Sequence, residues 1–115
     1  AASDVYKRQI ADKVLPFWQK FISDSQCGYV LNNTNGKPLK YDNFKRNYWT
    51  PLQNDLGFDH TIHETRHTCI SMLVSANVNH TIIKKIVGHK SKMDLTEKVY
   101  THINPKELVN AINKI

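Results

Sequence analysis

Between Thr61 and Ile115 the chain carries helix-start and helix-stop signals so closely spaced that only a succession of short helices fits. Thr61-Ile62-His63-Glu64 has the spacing of a capping box, in which a threonine hydroxyl and a glutamate carboxylate satisfy the amides of a helix N-terminus reciprocally. The helix it opens puts Cys69, Ile70, Leu73 and Val74 on one face and ends near Asn77. Asn79 can cap the next, which carries Ile82, Ile83, Ile86 and Val87 and is stopped by Gly88. Asp94 or a neighbour opens another that runs through Tyr100. Asn104-Pro105 reads as an N-cap followed by proline at the first helical position, with Glu107 completing a second box. That last helix places Leu108, Val109, Ile112 and Ile115 on one side and has only about three turns to bury them, so it must dock on something.

Upstream the pattern is again helical. Val14, Leu15, Trp18, Phe21 and Ile22 recur at helical spacing from Ala11 to Ser23, and Pro16 fits if it lies in the first turn. Tyr29-Val30-Leu31 is a short strand or an extended run, and Asn32 to Pro38 is a turn by its Asn, Gly and Pro content. Tyr41 to Leu56 is a second helix, kinked or split near Pro51 and ended by Gly57. The expectation is a mainly α chain with at most a short strand; its 115 residues make one domain or a piece of one. Residues 1–9, Ala1 to Gln9, are what results from translating a DNA that looks like a transposase-delivered sequencing adapter. They are set apart as a fusion scar. Residues 10–115 are then expected to be the C-terminal end of a longer protein.

No apolar run approaches the roughly 18 residues of a membrane span, and the N-terminus lacks the apolar core of a secretory signal. Two cysteines, Cys27 and Cys69, make no disulfide framework, so a reducing, cytoplasmic compartment is expected. The net charge of +6 is unevenly placed. From His60 to Met93 there are five bases (Arg66, Lys84, Lys85, Lys90 and Lys92) and one acid, Glu64. His60, His63, His67, His80 and His89 lie in the same stretch. Such a field attracts phosphate, although a solvated lysine-rich face would look the same. Lys90 and Lys92, with Lys45 and Arg46 upstream, are the candidate DNA-backbone contacts.

Two motifs share the histidine-rich helix. His63-Glu64-Thr65-Arg66-His67 is a literal HExxH, the zinc-peptidase pattern of two imidazoles one turn apart with Glu as general base. The extended form of that motif wants Gly three and His six residues after His67, where Ile70 and Leu73 stand. The second motif is His63-x-x-Arg66, followed by Val87-Gly88-His89-Lys90-Ser91 and by Lys98-Val99-Tyr100-Thr101-His102. In order and spacing these three resemble the C-terminal half of the tyrosine recombinase (phage integrase) family, in particular integrases of phages and conjugative elements of low-GC Gram-positive bacteria. The likeness covers nearly all of residues 10–115, including Asn43-Phe44 and Trp49-Thr50-Pro51-Leu52 ahead of the His-x-x-Arg.

The resemblance implies double-stranded DNA as substrate and His63, Arg66, His89 and Tyr100 as catalytic residues. A phosphodiester resists attack because its oxygens are anionic, so a catalyst must neutralise charge growing in the transition state. Arg66 would do so with a donor fork matched to two phosphate oxygens. Tyr100 would be the nucleophile; a phenol ordinarily titrates near about 10 and needs local help to attack at neutral pH. His63 would accept or relay its proton, and His89 would hydrogen-bond a non-bridging oxygen. The product is a 3′-phosphotyrosyl link with a free 5′-hydroxyl, and rejoining then needs no metal, no cofactor and no ATP. Family members assemble as synaptic tetramers and can pass the C-terminal segment to a neighbour, so the last helix docks either on its own core or in trans. Each residue also has an ordinary structural reading when taken singly; it is their joint order that carries the resemblance. His67 and His102 have no assigned chemistry.

The family's further arginine, its hairpin lysine and its separate DNA-binding domain have no counterpart before His63, so residues 10–115 alone are expected to be catalytically silent. The same chemistry in a type IB topoisomerase-like cleaver, a zinc peptidase through the HExxH, and a non-catalytic basic DNA-binding module are the alternatives.

Overall fold

The computed structural model describes residues 8–88 and 103–115. The described residues are mainly helical. A 3-10 turn at Asp12–Val14 leads into α1 (Leu15–Asp24). There follow α2 (Tyr41–Phe44), a π-helical segment at Lys45–Trp49, α3 (Thr50–Leu56), α4 (Glu64–Ser75), α5 (His80–Val87) and α6 (Pro105–Ile112). The expected helix ending at Tyr100 lies outside the described residues.

The chain divides into two units, one of Val14–Thr65 and one built from the described parts of Ala1–Lys13 and Arg66–Ile115. In the first, α1 begins where the sequence places it, with Pro16 in the first turn, where its missing N–H costs nothing. The apolar face of α1 forms but stays open: Phe17 is 63% and Ile22 59% exposed. Tyr29 to Leu31 is not a strand. Its bends are organised by Asn32, whose Oδ1 accepts from the Gln26 amide at 3.2 Å and whose Nδ2 donates to the Tyr29 carbonyl at 3.2 Å. The turn expected at Asn32 to Pro38 is present, with Asn33 Oδ1 accepting from the amides of Asn35 and Lys37 and an isolated antiparallel bridge between Asn32 and Pro38.

From Tyr41 to Leu56 the helix runs through Pro51 without a break, and its irregularity lies one turn earlier. The Thr50 amide bonds to the Lys45 carbonyl, an i to i+5 bond. Proline offers no N–H and its ring crowds the carbonyl four residues back, here that of Asn47; a widened turn just upstream makes room. Gly57, at φ 71°, ends the helix in the left-handed region as its position predicts.

Every buried residue described belongs to the second unit: Leu73, Val78, Ile83, Leu108 and Ala111. α4 ends in a Schellman motif, with the Asn77 amide on the Val74 carbonyl and the Val78 amide on the Leu73 carbonyl, both at 3.0 Å. Asn77, at φ 59°, fills the left-handed position that usually takes glycine. The motif folds Val78 back against Leu73, the start of the core. Cys69 and Ile70 pack there as expected, but Val74 is 55% exposed; the core-facing stripe of α4 is narrower than the sequence suggests. Asn79 Oδ1 caps α5 through the Thr81 amide at 2.8 Å, and Gly88 (φ 72°) stops it. Asn104 Oδ1 caps α6 through the Lys106 amide at 3.0 Å. Among the described residues, no bond from the Glu107 carboxylate returns to Asn104, so the second box has only its asparagine arm. Helix α6 docks on this core through Ala111, Ile112 and Ile115, and Asn113 Oδ1 accepts from the Asp12 amide at 2.8 Å. Val109 is half-buried, and Ala111 takes the fully enclosed position.

Leu73 is fully buried where α4, α5 and α6 meet. Leu73→Ala should destabilise the fold by about 2–5 kcal/mol, the usual cost of truncating an enclosed leucine. A urea titration followed by circular dichroism reads this directly, and an unchanged midpoint would show that Leu73 is not central to the core.

No helix among the described residues is long and apolar enough to cross a membrane. Cys27 and Cys69 are both free thiols.

Candidate functional site

The connection from α3 to α4 is held by hydrogen bonds rather than by burial. Trp49 and Gln53, four residues apart on one helical face, reach the same loop residue from two sides. The Trp49 indole Nε1 donates to the His60 carbonyl at 2.9 Å, and Gln53 Oε1 accepts from the His60 amide at 3.1 Å. The Phe58 amide bonds to the Gln53 carbonyl, and the Phe58 ring lies 5.7 Å from the His60 ring.

Glu64 holds the other side of the loop. Its Oε2 accepts from the Thr61 amide at 3.0 Å, the glutamate arm of the expected capping box, and lies 2.9 Å from His60 Nδ1. The Glu64 amide goes to the Thr61 carbonyl, and the Thr65 amide and hydroxyl both go to the Ile62 carbonyl, the latter at 2.6 Å. His63 sits in this turn immediately before α4, exposed to solvent. The side chains of His60 and Glu64 are 64% and 47% exposed, so their pairing is worth at most about 1 kcal/mol to folding. Its effect is on geometry.

Arg66 follows in the first turn of α4 and is half-buried. A guanidinium there adds to the positive end of the helix dipole, and both favour an anion. Glu64, the acid of this stretch, is already committed to the Thr61 amide and the His60 ring. That engagement weighs against its use as the general base of an HExxH zinc site. So does Leu73, which stands where the extended zinc motif wants a histidine and is sealed in the core. The described residues hold no cluster of three or more His, Cys, Asp or Glu that could bind a metal ion.

Lys45 and Arg46 are exposed on the π-helical segment, and Arg46 Nη2 donates to Asn43 Oδ1 at 2.9 Å. His89, Lys90, Lys92 and Tyr100 lie outside the described residues. The residues that sequence reasoning missed are Trp49, Gln53 and His60. The i, i+4 spacings of Trp49 with Gln53 and of His60 with Glu64 were the available signals, but neither says that Trp49, Gln53 and Glu64 all meet at His60.

The sequence model of the phage integrase family matches residues 1–107. The chain is 27% identical over 96 residues to a tyrosine recombinase XerC-like protein of Caldanaerobacter subterraneus, a match covering 83% of this chain and 24% of that protein. It is 27% identical over 118 residues to the integrase of Staphylococcus phage L54a, covering 99% of this chain and 32% of the integrase. With a tyrosine recombinase of Agathobacter rectalis it shares 31% identity over 80 residues, 68% of this chain and 25% of that protein. The chain thus spans 24–32% of the length of these relatives. No solved structure matches it significantly.

Proposed function

This chain belongs to the phage integrase family, and on that premise we propose that it is the C-terminal part of a catalytic domain that cuts and rejoins double-stranded DNA in site-specific recombination. The observation that carries the reading is the His63-x-x-Arg66 turn, held at the start of α4 by the Glu64 cap in a chain whose family match runs through Tyr100. In this reading the Tyr100 phenolate oxygen attacks a backbone phosphorus while Arg66 and His89 neutralise the charge on the non-bridging oxygens. His63 takes or relays the phenol proton. The P–O5′ bond breaks, the departing oxygen takes a proton from a general acid supplied by the rest of a full-length protein, and the strand is left with a 3′-phosphotyrosyl link and a 5′-hydroxyl. Attack by a second 5′-hydroxyl reverses these steps and releases Tyr100. The phosphodiester bond energy is kept throughout, so the cycle needs no metal or nucleotide.

Lys45, Arg46, Lys90 and Lys92 supply phosphate contacts along the duplex, with an affinity that falls as salt rises. Two cleavages must be coupled for strands to exchange, which calls for several protomers on one DNA complex, a synaptic tetramer in the simplest arrangement. A cytoplasmic protein working on intracellular DNA fits this chemistry. Residues 10–115 by themselves are silent in this reading, because the remaining phosphate-binding groups belong to the rest of a full-length protein.

The test is a full-length recombinase carrying this sequence, incubated with a nicked duplex whose short cleaved fragment diffuses away. A covalent protein–DNA adduct is expected, at the same yield in excess EDTA. No adduct would sink the recombinase reading, and an activity lost in EDTA but restored by zinc would replace it with the HExxH one.

A further inference from the structure

We infer that Glu64, acting through His60, is a positioning residue that fixes the turn carrying His63, with Trp49 and Gln53 as the anchors on the helix before it. The inference rests on the recombinase reading of His63 and adds a device that His63 itself does not supply.

The argument begins with what else could hold the turn. Phe58 to Thr61 is exposed loop, so packing does not fix it. His60 is nevertheless bound at three points. Its amide is held by Gln53, its carbonyl by Trp49 and its ring by Glu64. Glu64 also takes the next amide, that of Thr61, with the same carboxylate oxygen. Only Thr61 and Ile62 separate His60 from His63, a stretch too short to absorb a displaced anchor without moving the imidazole. Two successive residues are thereby clamped between the helix before the turn and the helix after it. An imidazole that must meet a phenol within hydrogen-bond reach loses rate steeply when its backbone drifts; a displacement of about 1 Å can cost on the order of a hundredfold. An exposed pair that contributes little to folding yet fixes a catalytic turn should separate rate from stability.

In the full-length recombinase, Glu64→Ala should slow single-turnover cleavage of saturating nicked DNA by about 10- to 100-fold. DNA affinity should stay within about threefold and the melting temperature within a few degrees. Glu64→Gln, whose amide oxygen still accepts from Thr61 and whose head still meets His60, should recover most of the lost rate. Trp49→Phe, which removes only the indole N–H to the His60 carbonyl while keeping an aromatic ring, should slow cleavage by about 3- to 10-fold with affinity unchanged. A Glu64→Ala protein that cleaves at the parental rate overturns the inference. So does one whose rate falls only in step with its folded fraction, or whose loss Glu64→Gln does not recover. Should Glu64→Ala fail to fold, Trp49→Phe carries the test, and a parental rate there overturns it. The parental protein is run alongside: no adduct there sinks the recombinase reading itself, whereas a parental adduct beside an undiminished Glu64→Ala rate sinks only the positioning role.

Discussion

Full-length protein bearing Tyr100→Phe should form no covalent adduct with nicked DNA while binding it with parental affinity. The substitution removes one oxygen, the atom assigned as nucleophile, and keeps the aromatic ring. By the resemblance Tyr100 stands at the family's nucleophile position, eleven residues after His89 and eight after Lys92. Electrophoresis under denaturing conditions with end-labelled DNA separates adduct from free strand, and a band that persists in Tyr100→Phe would move the nucleophile elsewhere. The loss is expected to be complete because a missing nucleophile, unlike a missing donor, leaves no slower route through the same intermediate.

Arg66→Ala should reduce the cleavage rate by at least about a hundredfold, the scale of losing one preorganised donor to a developing oxyanion. The size of the effect follows from charge and shape together. A guanidinium offers two parallel N–H donors to two phosphate oxygens and cannot be neutralised by deprotonation. Arg66→Lys keeps the charge and loses the fork, so it should recover only part of the rate. Single-turnover kinetics at saturating DNA measure this directly; a decrease confined to binding would make Arg66 a backbone contact and leave the phosphorane charge to another group.

The helices of the second unit were legible because their boundaries are written in local chemistry. Asn79, Gly88 and Asn104-Pro105 each act on amides or carbonyls within a few residues of themselves, and the structure uses them as the sequence suggests. What faces the core was less legible. Val74 lies within one residue of the stripe occupied by Leu73, and only the actual packing of α5 and α6 decides that it faces solvent. Pro51 announced an irregularity, but its remedy appears at Lys45–Trp49, since the strain falls on the carbonyls behind the ring. In the site, His63 and Arg66 were found through their spacing. His60 was not, because its importance lies in its backbone amide and carbonyl, which every residue possesses. Its partners Gln53 and Trp49 are 7 and 11 residues away, beyond the reach of any short motif.

The π-helical segment has a consequence for how such a chain can diverge. An α-helix turns about 100° per residue, so one residue gained or lost inside Lys45–Trp49 rotates everything before it by that angle relative to everything after it. Trp49 and Gln53, beyond the segment, would keep hold of the His60 loop through such a change. Lys45 and Arg46, within it, would be re-aimed around the axis. An insertion or deletion at this single place would therefore alter which way Lys45 and Arg46 point without loosening the turn that precedes α4, so length there, rather than composition, sets the direction of these two side chains.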